Sequence, residues 1–357
     1  MQNPFYTGLC LLAAQRFAGE RSPQAVVHLL RGRKNNQVIT DAALFGVSIL
    51  YGIMQHRTNE EVRQEIEDAI SAGWLTVHPN ANKESIYCSP QGEEQLAVYD
   101  SLYNYEECLA SISSVHDKVR AIRLWSKLQL LVQTLSHITQ QASHFYPVIE
   151  DREIQQEVKQ LLSQYPDRQE LAGTVKYELS AWVEGLAPWE QQIILRRLSG
   201  KRKTGLTFSQ IAELFGHAGE WAGMHLIRLV AERFPSSGSV DGVLSRLVDK
   251  DMGNHGLTAT ARQTKLLLAA GLTLEEIGKR RGLKRGTIED HIVEIAIADP
   301  FYDVADFVTN EKIERVHTIM KETGTKKLGE IKRAAGADFS YLEIRLACAR
   351  LAQEVKS

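Results

Sequence analysis

Apolar residues recur every three or four positions through most of this chain, a spacing that gives a helix one face to bury and gives a strand none. The segments VRAIRLWSKLQLLVQTLSHITQQ at 119–141 and EIQQEVKQLLSQY at 153–165 carry the pattern most plainly. On the first of them Trp125, Leu128, Leu131, Leu135 and Ile138 are the expected packing residues. The fold class that follows is mainly α. At 357 residues the chain has length for two or three compact units, taking ~100 to 200 residues per domain. Glycine and proline positions and changes of period divide it into an N-terminal domain over 1–100, a helical connector over 101–170, and helix-turn-helix domains over 171–240 and 250–357. FPSSGSVDG at 234–242 is the best candidate linker, because serine and glycine at that density favour turns.

One stretch breaks the helical period. PQAVVHLLRG (23–32), ITDAALFG (39–46) and NEEVRQEIEDAISAG (59–73) read as short helices, the last capped by Asn59 and ended by Gly73. WLTVHP (74–79) and ESIYCSP (84–90) then read as two strands joined through Asn80 to Lys83. Three helices followed by a two-stranded wing is the order of a winged helix. Arg31, Arg33 and Lys34 are its candidate DNA contacts.

Two later segments have helix-turn-helix spacing. In 186–234 a helix near 188–199 leads through a basic loop to helices at Phe208 to Phe215 and Ala218 to Glu232, with Thr207 as a cap and a turn at Gly216. Ile211, Ala212 and Leu214 are expected to face partners. The second helix would expose Glu220, Trp221, Met224 and His225, with Arg228 further along, a face poor in cations for phosphate contact. The charge instead gathers at Arg196, Arg197, Lys201, Arg202 and Lys203. This pattern resembles the last DNA-binding region of bacterial sigma factors.

In 256–297 Thr273 caps a helix from Leu274 to Arg281, with Glu276 three residues on as in a capping box. Gly282 permits the turn, and Thr287 lies early in a second helix that runs to about Ile297. Ile277, Leu283, Ile288 and Ile292 supply its packing. Lys279, Arg280, Arg281, Lys284 and Arg285 place five cations in seven residues, enough local field to hold phosphate and release counterions. Thr287 and His291 are the candidates for reaching base edges or sugars.

Specific residues add a resemblance. Residues 25–96, with Leu30, Arg31 and Gly32, then Tyr51 and Gly52, Gly73 before the first wing strand and Ser89 through Gly92 after the second, resemble the winged-helix region of RecQ-type DNA helicases. Glu275 to Ile292, followed by LGEIKRAAGADFSYLEIRLACARLA at 328–352, resembles the helix-turn-helix domain at the C-terminus of many such helicases. The P-loop, the acidic motor box and the four clustered cysteines of the helicase zinc module are all missing. Together the two regions and the chain length resemble a YpbB-like family of helicase-associated helix-turn-helix proteins. That resemblance implies a chain that supplies accessory domains in trans to a RecQ-like helicase lacking its own, in DNA repair or recombination, with duplex or forked DNA as ligand. A sequence-specific transcription regulator and a protein-interaction scaffold are the alternatives.

The remaining composition narrows the class. With 42 Lys plus Arg against 44 Asp plus Glu, the net charge is −2, so basic character has to be local for DNA to be a partner. No apolar run reaches the ~18 residues of a membrane span, and Met1 to Glu20 lacks the layout of a secretory signal. A cytoplasmic, nucleoid-associated protein is expected. Cys10, Cys88, Cys108 and Cys348 form no C-x-x-C pair and read as buried thiols. No metal-binding histidine spacing or nucleophile motif occurs, so no catalytic residue, metal or cofactor is expected.

Overall fold

The computed structural model describes residues 3–80, 83–142, 144–235, 242–248, 257–299 and 301–354. The chain forms two compact units, one made of Met1–His116 together with Asp251–Ser357, the other of Asp117–Lys250. Segments read separately at the two ends of the sequence therefore share one unit.

That first unit starts with α1 (Pro4–Phe17), then α2 (Pro23–Arg31), α3 (Asn36–Leu44) and α4 (Asn59–Ser71). Strands β1 (Leu75–Asn80) and β2 (Lys83–Cys88) pair antiparallel, with Val77 opposite Ile86, and α5 (Pro90–Tyr103) and α6 (Tyr105–Ser111) follow. Helices α2 to α4 and the hairpin make the winged helix. Helix α4 is capped by Thr58, one residue earlier than expected, because Thr58 and Glu61 exchange bonds in a capping box. Gly73 follows its end at φ +77°, the left-handed conformation glycine adopts freely. Part of the hairpin connection lies outside the described residues.

Helix α1 has no counterpart in the helix-period reading. Phe5, Leu9, Cys10, Leu11, Leu12, Ala13, Ala14 and Phe17 are all buried, so it is apolar all round and lacks the one-sided pattern that marks a surface helix. It packs against α4, α5 and β2. The Tyr105 hydroxyl donates to the Phe5 carbonyl at 2.8 Å. Gly19 N–H donates to Ile86 O, and Ile86 N–H to Arg21 O, so the chain after α1 runs along the wing.

The second unit holds α7 (Val115–Thr139) from Asp117 onward, α8 (Arg152–Ser163), α9 (Arg168–Glu184), α10 (Pro188–Arg197), α11 (Phe208–Glu213) and α12 (Gly219–Arg233). Trp125, Leu128, Leu131 and Leu135 are buried as expected, whereas Ile138, one residue before α7 ends, is 38% exposed. Lys127 Nζ lies 2.6 Å from the Glu157 carboxylate and ties α7 to α8. Most of the candidate linker at 234–242 lies outside the described residues.

The chain then returns to the first unit through α13 (Ala259–Ala269), α14 (Leu274–Arg281), α15 (Arg285–Ala298), α16 (Asn310–Thr323), α17 (Leu328–Ala335) and α18 (Tyr341–Glu354). Helix α15 packs on α13 and α18, and both α15 and α18 pack on α3 of the winged helix. Polar bonds fix that docking. Lys326 N–H donates to both oxygens of Glu20 at 2.9 and 2.7 Å, and its Nζ donates to Leu44 O at 2.9 Å. Cys10, Cys108 and Cys348 are buried and Cys88 half-buried, all four as free thiols.

Candidate nucleic-acid interface

The turn between α14 and α15 is built from short-range chemistry. Thr273 Oγ1 accepts from Glu276 N–H at 3.3 Å while the Glu276 carboxylate accepts from Thr273 N–H at 2.8 Å. Those bonds hold the Glu276 carboxyl below the usual carboxylate range. Gly282 takes φ +64° and ends α14. At Gly278 an added Cβ would stand 3.2 Å from Leu283 O and 3.4 Å from Ile288, so the lack of a side chain lets the two helices approach closely. Ile277, Ile288 and Ile292 are fully buried beneath the turn.

The cations divide into two groups. Lys279, Arg280, Lys284 and Arg285 are exposed around the turn, where a cavity of about 510 Å³ is lined by Lys279, Lys284 and Arg285 with one carboxylate, Glu275, beside Gly278 and Gly282. Among the described residues no hydrogen bond or ion pair occupies the side chains of Lys279, Arg280 or Lys284. Arg285 pairs with Glu289 one turn along its own helix at 2.9 Å, with its side chain 70% exposed. Arg281 faces inward instead, and its guanidinium donates to Thr260 O at 2.9 Å and to the Thr264 hydroxyl.

Helix α15 offers only its beginning to solvent. Arg285, Gly286 and Thr287 are exposed, Glu289 and Asp290 half-buried, and Ile288 and every residue from His291 to Ala298 are buried. His291 is thus not a base-edge contact: it is 5% exposed, with Nδ1 2.8 Å from the Thr264 hydroxyl. Burial, then the nearby Arg281 charge, hold its pKa below the ordinary histidine value.

The middle helix-turn-helix differs from its expected exposure. Trp221, Met224, His225 and Arg228 are buried, while Leu214, expected to pack, is 56% exposed. Arg228 pairs with Glu190 and, at 3.0 Å, with Glu232. Trp189 lies 5.4 Å from Trp221 and 4.9 Å from His225, an aromatic cluster that uses the side of α12 a groove-reading helix would present. The basic residues nearby are largely bonded within the unit. Arg196 Nε donates to Gln192 at 2.6 Å, and Arg197 donates to Leu206 O and sits 4.4 Å over the Phe208 ring. Lys201 Nζ donates to Gln140 O, Lys203 Nζ to Leu195 O, and Arg202 is exposed.

In the winged helix, Arg31 donates to the carbonyls of Met54 and Gln55, and Arg33 lies 2.7 Å from the His28 ring. Helix α4, which holds the position before the wing, exposes Glu60, Glu61 and Glu67, so it is a poor partner for phosphate. Lys34 is exposed. It lines a cavity of about 550 Å³ with Asn35, Gln37, Asp290, Tyr341 and Arg345. Arg345 Nη1 lies 2.6 Å from the Asp290 carboxylate. Tyr341 and Arg345 fall in the 328–352 segment that carries the family resemblance, but the sequence does not mark them as neighbours of Lys34, because that neighbourhood arises only when α3 docks on α15 and α18.

Among the described residues no cluster of histidine, cysteine and carboxylate side chains could hold a metal ion, and no helix is long and apolar enough to cross a membrane. A capped helix, a glycine turn and a second helix exposed at its cationic start define a helix-turn-helix protein, mainly α with a winged helix at its N-terminal end. Residues 260–348 match a family described as a helix-turn-helix domain, a span that runs from α13 into α18 and includes Tyr341 and Arg345. Over 343 residues the chain is 28% identical to Protein YpbB of Bacillus subtilis (strain 168), covering 94% of each sequence. No solved structure matches it.

Proposed function

We propose that this chain is a non-catalytic DNA-binding subunit that holds duplex phosphates at the α14–α15 turn. The observation that carries the reading is the set Lys279, Arg280 and Lys284, exposed around the turn with no described side-chain hydrogen bond or ion pair. Surface cations without internal partners keep their charge for phosphate and release counterions when they meet it. The start of α15 then faces the groove, with Thr287 as the residue nearest the bases.

The finer reading is an accessory subunit for a RecQ-like helicase without its own accessory domains, acting on forked or duplex DNA in repair or recombination. Support comes from the resemblance of residues 25–96 and 275–292 to the accessory regions of those enzymes. Nucleoid association follows from the same DNA contact.

The test is titration of a random-sequence duplex across salt with the full chain and with Lys279, Arg280 and Lys284 replaced together by alanine. Loss of three phosphate contacts lowers the slope of log affinity against log salt by about 2.7. An unchanged slope in a folded variant overturns the site. Co-purification with the helicase tests the partnership separately, and failure to associate on forked DNA overturns that part alone. The exposed Thr287 favours one second reading, a sequence-specific regulator, which requires a selected duplex to bind far more tightly than a random one.

A further inference from the structure

The cavity between α3, α15 and α18 joins residues more than 300 positions apart in the sequence, from Lys34 to Tyr341 and Arg345. Its chemistry suits a phosphate diester. Lys34 is exposed at one wall, and Tyr341, 55% exposed, brings a phenol to the other. Asp290 is the opposing charge, placed on the second turn of the helix whose start carries the basic turn. Arg345 meets it at 2.6 Å through Nη1, the one bond described for that guanidinium. The pair cancels a carboxylate that would otherwise repel phosphate and leaves Lys34 as the net charge of the cavity.

We propose that this cavity is a second phosphate seat for the same duplex, so that the winged helix and the helix-turn-helix grip DNA through one composite surface. Lys34 and the Tyr341 hydroxyl hold the backbone beside the groove that takes the start of α15. Arg345 is a positioning residue that acts through Asp290. The inference rests on the reading of the α14–α15 turn and adds to it a contact from the opposite end of the chain. Phosphate contacts of this kind set register and orientation without reading sequence.

The test uses the full chain and a random-sequence duplex titrated across salt, with folding checked by circular dichroism and thermal melting. Lys34→Ala is expected to lower the salt slope by about 0.9, the value of one phosphate contact. Tyr341→Phe is expected to weaken binding with the slope unchanged, since it removes a neutral donor. Arg345→Gln is expected to weaken binding by uncovering Asp290, and adding Asp290→Asn is expected to restore it, a rescue that a role in folding alone would not give. If Lys34→Ala and Tyr341→Phe both bind as the parent does while the triple alanine variant of the turn loses its contacts, the composite surface is overturned and the turn stands. If the triple variant keeps full affinity, the reading of the turn falls, and the composite surface falls with it.

Discussion

Nδ1 of His291 lies 2.8 Å from the Thr264 hydroxyl, and the same hydroxyl accepts from the Arg281 guanidinium. A hydroxyl that accepts from arginine keeps its own proton for Nδ1, and burial and the Arg281 charge disfavour the protonated ring. The relay ties α13, α14 and α15 together and spends one of the five clustered cations inside the fold.

Stability should therefore fall in mild acid. The His291 pKa is depressed from its ordinary 6.5 by burial and by Arg281. Above 6.5 neither state is protonated there and the contribution is whole. As pH falls, the unfolded chain binds the proton first, and stability drops until the folded pKa is reached. Urea unfolding between about pH 5 and 8 should show that decline, and His291→Gln should flatten it.

Two glycines of similar backbone conformation should differ in tolerance. Gly282 has φ +64° with open space around it, so Gly282→Ala should cost about 1–2 kcal/mol from the left-handed strain alone. Gly32 has φ +67°, and an added Cβ would lie 2.7 Å from the Gly52 Cα. Backbone cannot rotate away as a side chain can. Gly32→Ala should lower the melting temperature more than Gly282→Ala does.

Arg228→Met should destabilise the unit formed by Asp117–Lys250 while leaving duplex affinity unchanged. Removing one partner of a buried pair costs roughly 3–5 kcal/mol, because the remaining charge stays buried. Glu190 is that remaining charge, which among the described residues then keeps the Ala187 N–H at 2.8 Å. A loss of affinity in the folded variant would count for DNA contact through α12.

Thiol labelling should proceed slowly in the native state, with Cys88 first. Burial pushes the Cys88 thiol up to about 11 and Cys348 up to about 12, so neither supplies much thiolate at neutral pH. Cys88 is the one of the four that is not fully buried. Fast labelling of Cys348 without denaturant would contradict the packing of α18 against α16.

The local grammar of the basic turn is legible in the sequence. Thr273, Glu276 and Gly282 each act within a few residues of chain, and the structure places cap, reciprocal bond and left-handed turn at those positions. The hairpin is legible for the same reason, with strands within a residue or two of their expected ends. Exposure is the part that spacing does not carry. Trp221, His225 and His291 occupy positions that would face a groove on an isolated helix, and each is covered by residues distant in sequence. Ion pairing is equally hidden, since Arg281 and Arg285 look alike in a basic run although one is bound inside and the other is not.

The bonds from Lys326 to Glu20 span 306 positions, and during synthesis that separation is also a delay. At roughly 5–20 residues per second, Glu20 is made roughly 15–60 s before Lys326. A nascent chain stalled before Asp251 lacks α15 and α18 and leaves uncovered the side of α3 on which they pack.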